Sequence, residues 1–379
     1  MRVYLDNAAT TPVDPQVFEA MRPYFEEEFG NPSSIHAHGR KIRAAVESSR
    51  KKIAELLNCN PGEIIFTSGG TEADNTLIIN SINAFSIQHA ITTPLEHHAV
   101  SHTLEVLSDK GVIKIHHVKM DEKGNIDFDD LEKLLSQYPN SLISLMHANN
   151  EIGNLLDIKR VGELAKFHKA YFHSDTVQTI GHYCHNLSDL YISGLVGSAH
   201  KFHGPKGIGF MYIRKDQKIG QFIHGGSQER NMRGGTENVY GIVGMAKALE
   251  IAYLGMEEHK KKVSSLKELM IKKLKDQIPN ISFNGDSENS SKSLYTVLSV
   301  RLPENNSNDL VLFKLDMAGV SASGGSACSS GSDAGSHVIN SLYPNSRRTT
   351  IRFSFSKYNT PEEINFAAEK LVEICRQSD

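Results

Sequence analysis

The chain has 379 residues, 39% hydrophobic and 22% charged, with a formal net charge of -3 at pH 7; this suits a globular protein of two or more domains and argues against nucleic acid as a partner. No apolar run reaches the ~20 residues that a membrane span needs, and the N-terminus shows no secretory signal. Four separated cysteines without a C-x-x-C pair fit a reducing compartment, so we expect a cytoplasmic protein that does not bind membranes.

Short apolar runs alternate with helical patterns over the first two thirds of the sequence. The runs predict buried strands at 63–68, 89–94, 141–148 and 207–213. Apolar residues spaced by three and four predict helices at 39–58, 72–86 and 158–170. This alternation indicates an α/β domain with a mainly parallel sheet.

The pattern changes near residue 257. A long basic amphipathic helix is predicted at 257–278, strands at 295–302 and 348–356, and a last helix at 361–377. We therefore expect a large α/β domain over 14–256 and a smaller α+β domain that combines 1–13 with 257–379. A segment rich in serine and glycine, 321–336, lies in the smaller domain and carries a single cysteine, Cys328.

Three positions in the large domain suggest chemistry when they are taken together. Gly70 and Thr71 open a helix after a strand, which suits a bound phosphate. Asp175 ends a short strand, where α/β sheets bind ligands, and Lys201 lies in a loop of small residues. Each alone has an ordinary explanation: a plain turn, a helix N-cap or a solvated lysine. In this order they match the anion site, ring-nitrogen partner and aldehyde-binding amine that pyridoxal phosphate requires.

Ten motifs follow one another along nearly the whole chain. They are YLDNAATTPVDP (4–15), FGNPSSIHAHG (29–39), EIIFTSGGTEADN (63–75), EHHAV (96–100), MHANNEIG (146–153), HSDTVQ (173–178), SAHKFHGPKGIG (198–209), MRGGTEN (232–238), SGGSACSSGS (323–332) and IRFSFS (351–356). In this order they resemble the motifs of the NifS/IscS-type cysteine desulfurases, in the class V aminotransferase branch of pyridoxal-phosphate enzymes. The resemblance implies the PLP-dependent transferase fold type I, with a mainly parallel seven-stranded sheet flanked by helices and a smaller C-terminal α+β domain.

The resemblance also implies the roles of individual residues. The catalytic set is Cys328, Lys201 and His97. The substrate carboxylate is expected to bind Asn150 and Arg352, with help from Asn31. Thr236 is expected to reach the phosphate from a neighbouring subunit, which implies a homodimer with shared active sites. Pyridoxal 5'-phosphate is expected to contact Gly70, Thr71, His97, Asn150, Asp175, Gln178, Ser198, His200, Lys201 and Thr236.

In this family the lone thiol is the nucleophile. The resemblance implies that L-cysteine is converted to L-alanine while the thiolate of Cys328 takes the sulfur as a persulfide. A loop rich in serine and glycine would let the thiol collect sulfur and then deliver it. The acceptor is expected to be an iron–sulfur scaffold or a tRNA-thiolation protein.

Two other classes of function stay open at this point. One is a selenocysteine lyase or another class V enzyme, such as a transaminase of small amino acids. The other is a sulfur carrier without catalysis. The histidine-rich stretches EHHAV, KIHHV (114–118) and HYCH (182–185) lack a full set of ligands with metal spacing, so no metal is expected.

Overall fold

The computed structural model describes residues 1–304, 310–324 and 335–376. In chain order its strands are β1 (Val3–Tyr4), β2 (Ile64–Thr67), β3 (His89–Thr92), β4 (Lys114–His117), β5 (Leu142–Ser144), β6 (Tyr171–Asp175), β7 (Gly194–Ser198), β8 (Gly209–Ile213), β9 (Ser282–Phe283), β10 (Val297–Arg301), β11 (Val320–Ser321) and β12 (Thr350–Ser354). The helices are α1 (Pro15–Met21), α2 (Pro23–Glu26), α3 (Ala37–Leu57), α4 (Gly70–Phe85), α5 (His98–Asp109), α6 (Phe128–Gln137), α7 (Ile158–His168), α8 (Gln228–Asn231), α9 (Val239–Leu254), α10 (Met256–Gln277), α11 (Val311–Met317), α12 (His337–Leu342) and α13 (Pro361–Arg376).

A seven-stranded sheet in the order β2-β8-β7-β6-β5-β3-β4 forms the centre of the larger lobe. Only β8 runs antiparallel to its neighbours in this sheet. Parallel strands need crossover connections, which here contain α4, α5, α6 and α7. The carboxyl ends of β2, β3, β5, β6 and β7 consequently meet at one edge of the sheet. The predicted mainly parallel seven-stranded sheet is confirmed.

Two apolar layers cover the faces of this sheet. On β6, Phe172 packs into the layer with α3, α7 and α9, while the neighbouring Tyr171 packs into the layer with α4 and α5. Alternate residues of a strand face opposite sides, so both faces of the sheet are buried. This explains why the strands appear in the sequence as short continuous apolar runs.

The smaller lobe contains an antiparallel sheet in the order β12-β10-β9, and the short strand β1 pairs in parallel with β11. Val3 and Leu5 are buried in the same apolar core as Leu298, Phe353 and Leu371, so the N-terminal segment packs with the C-terminal part of the chain.

The two lobes are joined by a buried ionic contact. Lys357 and Tyr358, which follow β12, donate to Oδ2 of Asp14 over 2.7 and 2.6 Å. Asp14 also caps α1. Among the described residues no single helix is long and apolar enough to cross a membrane; α9 and α10 reach that threshold only as a pair, across a 75° bend.

Candidate active site

A cavity of about 210 Å³ lies at the edge of the sheet where the parallel strands end. Open α/β sheets bind their ligands at this edge. Residues from the large lobe, from the N-terminal segment and from β12 line the cavity together. They are Ala8, Ala9, Gly70, Thr71, Asp74, His97, Met146, Asn150, Asp175, Val177, Gln178, Ser198, His200, Lys201 and Arg352.

The first turn of α4 forms one wall of this cavity. The N–H groups of a first helical turn lack partners within the helix and favour an anion. A Cβ atom on Gly70 would lie 2.8 Å from Cγ2 of Val177, so only glycine fits there without a shift. The hydroxyls of Thr71 and Ser198 and the ring of His200 line the same space, giving a concentration of hydrogen-bond donors suited to a phosphate.

Asp175 provides a buried carboxyl group at the end of β6, with 6% of its surface exposed. Its Oδ1 atom accepts from the backbone N–H of Val177 over 2.9 Å, which fixes the orientation of the group. Gln178, three residues later, donates from Nε2 to the Ala8 carbonyl over 3.1 Å. The short strand thus places an acid and an amide beside the same cavity.

Lys201 ends the single helical turn that follows β7. Its Nζ atom donates to the carbonyl oxygens of Ala8 and Ala9, the second over 3.0 Å. The Lys201 carbonyl lies 3.2 Å from Nε2 of His182, whose other ring nitrogen lies 3.0 Å from the hydroxyl of Tyr295. The lysine is therefore held at both its backbone and its amine.

His97 is the N-cap residue of α5 and lies directly before the helix. Its Nδ1 atom accepts from the backbone N–H of Ala99 over 3.1 Å. Burial lowers the pKa of His97, so its ring is neutral at neutral pH. A neutral ring with Nδ1 as acceptor carries its proton on Nε2.

Arg352 occupies the other end of the cavity and is 1% exposed. Its guanidinium donates from Nη2 to Oδ1 of Asp6 over 2.8 Å and from Nη1 to the Asn150 carbonyl over 2.9 Å. The hydroxyl of Ser323 donates to the same Asp6 oxygen over 2.8 Å. Asp6 therefore connects Arg352 with the residue that begins the serine- and glycine-rich motif.

Three predicted site residues need separate description. Asn31 is exposed, and its Oδ1 accepts from the backbone N–H of Ser33. Thr236 is exposed and lines a neighbouring groove with Ser68 and Gly207. Cys328 lies outside the described residues.

The cysteines that the structure does describe differ in environment. Cys184 is exposed, whereas burial raises the pKa of the Cys59 thiol to about 12. Cys59 is thus a poor nucleophile at neutral pH. Within the described ranges, no cluster of three or more His, Cys, Asp or Glu side chains could hold a metal ion.

Some residues of the cavity were missed at the level of sequence. The carbonyl groups of Ala8 and Ala9 carry no side-chain signal, and Asp6 gains its role only by meeting Arg352, 346 residues away. Asp74 lies inside the TSGGTEADN motif (67–75) and was not singled out, because acids are common near the start of a helix.

Comparison with known proteins identifies the family. The model for "Aminotransferase class-V" matches residues 3–366. A cysteine desulfurase IscS from Dictyoglomus turgidum is 43% identical over 99% of this chain and 95% of its own length. A putative cysteine desulfurase IscS 1 from Bacillus subtilis is 42% identical over 99% of both. A solved NifS-like protein superposes with a TM-score of 0.90 at 36% identity over the full length of both chains.

The chain belongs to the class V aminotransferase family, with the PLP-dependent transferase fold type I. Within that family it is a cysteine desulfurase: an enzyme that depends on pyridoxal phosphate, takes cysteine as substrate and hands its sulfur to an acceptor.

The cavity fits this cofactor. One wall carries helix N–H groups and hydroxyls, and glycine at position 70 keeps the space open. Asp175 supplies the acid and Lys201 the amine.

Proposed function

We propose that the cavity lined by Asp175, Lys201 and Arg352 is where this chain desulfurates L-cysteine. The observation that carries the proposal is the meeting, in one cavity, of a helix N-terminus, a strand-end acid, a lysine and a buried arginine. These groups match the phosphate, the ring nitrogen, the aldehyde and the substrate carboxylate in turn.

Pyridoxal phosphate would be held through complementary charges. Gly70, Thr71, Ser198 and His200 would bind its phosphate, because the N-terminus of α4 favours negative charge. Asp175 would pair with the ring nitrogen and Gln178 would donate to the ring's phenolic oxygen. When bound, the cofactor supplies an electron-accepting ring that stabilises negative charge developing on the substrate.

Lys201 and His97 would both take part in proton transfer during the reaction. The Lys201 amine is oriented by the carbonyl groups of Ala8 and Ala9. The neutral His97 ring presents Nε2 as a donor because Nδ1 is occupied by Ala99. It would stack on the cofactor ring and exchange a proton with a group in the cavity.

Arg352 would bind the substrate carboxylate. Its planar donors match a carboxylate in pairs, and the contacts with Asp6 and Asn150 hold the guanidinium in place. Asn150 would assist from the same wall. Binding the carboxylate here would orient the cysteine along the cavity towards Lys201.

Cys328 would receive the sulfur. The described residues on either side of its segment both contact the active site: Ser323 pairs with Arg352 through the backbone, and His337 lies 2.9 Å from the Glu96 carbonyl, next to His97. An extended chain covers at most about 3.6 Å per residue, so the five residues after Ser323 could reach roughly 18 Å. That is enough to enter the cavity and to leave it.

The sulfur would then pass to an iron–sulfur scaffold or a tRNA-thiolation protein. The likeness to the IscS-type relatives supports the first of these.

We assign the cavity floor to a domain of residues 14–256 and the substrate end to a domain of 1–13 and 257–379. The separate apolar cores of the two lobes support that division.

A homodimer would complete the site. Two exposed rings, Phe25 of α2 and Tyr240 of α9, stack with their centroids 4.2 Å apart. Phe18, Phe29 and Ile35, which are close to Phe25 in sequence, are exposed as well, and we call these five residues the aromatic patch. Exposed apolar patches of this kind mark protein interfaces.

Both predicted site residues that lie outside the cavity, Asn31 and Thr236, border the aromatic patch in sequence. A second copy docked there would carry them towards its partner's cavity. The inference is tested by mixing Lys201→Ala protomers with Thr236→Ala protomers. Shared sites predict that the mixture regains activity, since one site of each hybrid dimer contains both intact residues. Sites formed within one chain predict no gain over the separate variants.

The main experiment incubates the purified protein with L-cysteine and measures both alanine and the mass of the peptide that bears Cys328. We expect alanine and a gain of one sulfur on that peptide. Cys328→Ala should abolish persulfide formation yet keep the cofactor's visible band, whereas Cys184→Ala, at an exposed thiol, should behave as the parent. Alanine without sulfur on Cys328 would contradict the proposed role of that thiol.

A further inference from the structure

A second carboxyl group, Asp74 on α4, lines the same cavity as Asp175. It is 1% exposed, and its Oδ1 atom lies 3.2 Å from Nε2 of His173. The other ring nitrogen of His173 lies 2.9 Å from the hydroxyl of Ser144 at the end of β5. His173 and Ser144 are fully buried. The three side chains therefore form a buried relay beside the cavity.

The geometry of β6 places this relay close to Asp175. His173 and Asp175 are two residues apart on β6 and so face the same side of the sheet. That side is the one covered by α4, which carries Asp74. Two carboxyl groups therefore line the cavity proposed for the cofactor ring, and their charges together set the electrostatic potential there.

The charges around Asp74 disfavour a second anion. Burial raises the pKa of Asp74 well above its usual range, and the nearby carboxyl groups of Asp175 and Glu96 act in the same direction. Burial also lowers the pKa of His173 to about 3, so the ring is not a counter-ion. Among the described residues, no Lys or Arg side chain forms an ion pair with Asp74. The cations that line the cavity, Lys201 and Arg352, have other partners.

We propose that Asp74 is a positioning residue that keeps its proton and donates it in a hydrogen bond to Nε2 of His173. Nδ1–H of His173 then donates to the Ser144 oxygen. Asp175 is then the carboxyl group proposed to pair with the ring nitrogen. This inference rests on the proposed cofactor site, and it adds a residue that sets the charge of that site without touching the reacting atoms.

The alternative is a charged Asp74 that accepts from Nε2–H of His173, with the Ser144 hydroxyl donating to Nδ1. The two states differ by one proton and by the direction of both hydrogen bonds. An ionised Asp74 would add a negative charge to the cavity lining, and a charge within about 4–6 Å shifts a neighbouring pKa by roughly one to three units.

The test is infrared spectroscopy at neutral pH on holoenzyme labelled with ¹³C in the aspartate carboxyl groups. A protonated carboxylic acid has a C=O band separate from carboxylate bands, and the label assigns it to aspartate. We expect an aspartic acid band that disappears in Asp74→Asn. Asp14→Asn is the matched control: Asp14 is ion-paired with Lys357 and its pKa is lowered to about 2, so its loss should leave the band unchanged.

A wild-type protein without any aspartic acid band, or a band that survives Asp74→Asn, would overturn the inference. If Asp74→Asn fails to fold, the labelled wild-type spectrum alone decides. The spectrum is also recorded after pyridoxal phosphate has been removed. A result on the protonation of Asp74 can then be told apart from a failure of the proposed cofactor site.

The cofactor's visible band gives a second measurement. A neutral Asp74 predicts that Asp74→Asn moves the pH midpoint of that band by less than one unit, because no charge is removed. A larger shift would show that Asp74 is ionised.

Discussion

The two ends of the active-site cavity are built in different ways. The cofactor end comes mainly from the large lobe, at the start of α4 and the ends of β6 and β7, with the carbonyl groups of Ala8 and Ala9 against the Lys201 amine. The substrate end joins Arg352 of β12, Asp6 of the N-terminal segment and Asn150 of the large lobe through hydrogen bonds and an ion pair. At the cofactor end the parallel strands and α4 place the side chains, whereas the substrate end depends on contacts between distant segments. Binding of the cofactor and binding of the substrate should therefore fail separately.

The largest expected effect comes from removing the amine at the cofactor end. Lys201→Ala should lower kcat roughly 10³-fold or more and abolish the protein-bound visible band, while far-UV circular dichroism stays as in the parent. Lys206→Ala is the control, because this exposed lysine is close in sequence but does not line the 210 Å³ cavity. Equal loss in both variants would mean that the effect is not specific to Lys201.

The substrate end should respond in KM instead. Arg352→Ala removes one partner of a buried charged pair and should raise KM for L-cysteine roughly 100-fold, with the visible band retained. Arg348→Ala is a matched control from just before the same strand, since Arg348 contacts the carbonyl groups of Leu302, Asn280 and Arg301. If Arg352→Ala also lost the cofactor, the two ends would not be separable.

The contact between the lobes should give a pH effect in acid. Burial works against ionisation of Asp14, but hydrogen bonds from Lys357 and Tyr358 outweigh it and lower the pKa of Asp14 to about 2. A carboxyl whose pKa is lower in the folded state contributes stability above its unfolded value of about 3.9. That contribution is lost as the pH falls towards 2.

Asp14→Asn should therefore be less stable than the parent at neutral pH, and the difference should shrink between about pH 4 and pH 2. Urea unfolding over this range measures it. A difference that stays constant with pH would contradict a contribution from the Asp14 charge, because asparagine preserves the helix cap.

The smallest effect is expected from His185, a buried histidine of the large lobe. Burial lowers the pKa of His185 to about 4, although its hydrogen bond to the Tyr183 carbonyl acts in the other direction. Between about pH 6.5 and pH 4 the unfolded chain binds more protons here than the folded one, so stability falls with falling pH. His185→Gln should reduce the slope of the free energy of unfolding against pH by the equivalent of up to one bound proton. His224→Gln, at an exposed histidine, should leave the slope unchanged. Urea unfolding at several pH values measures these slopes, and equal slopes in the two variants would contradict the prediction.

The fold was more accessible from the sequence than the substrate end. The predicted strands at 63–68 and 207–213 correspond to β2 and β8, because buried strands are continuous apolar runs. Alternation of strands and helices also predicts the edge of the sheet where Asp175 and Lys201 meet. The helices α9 and α6 were not predicted: α9 is apolar on nearly all sides, and α6 is only ten residues long.

The remaining contacts depend on distance along the chain. The meeting of Asp6 with Arg352, and of Ala9 with Lys201, requires the N-terminal segment to cross between the lobes, which no local pattern encodes. The side chains of Asn31 and Thr236 were predicted from family likeness, and a single chain leaves them on its surface. Their proposed role needs a second copy, which sequence periodicity does not reveal.

The N-terminal segment has a consequence for synthesis. Val3 pairs with Val320, and the Ser354 backbone donates to Leu5, so the segment around Val3 finds its partners only after more than three hundred later residues have been added. Because Ala8 and Ala9 orient the Lys201 amine, a nascent chain that has already formed its central sheet still has an unfinished lysine site. Competence to retain the coenzyme should therefore arise only after β11 and β12 have been synthesised and have paired with the segment around Val3.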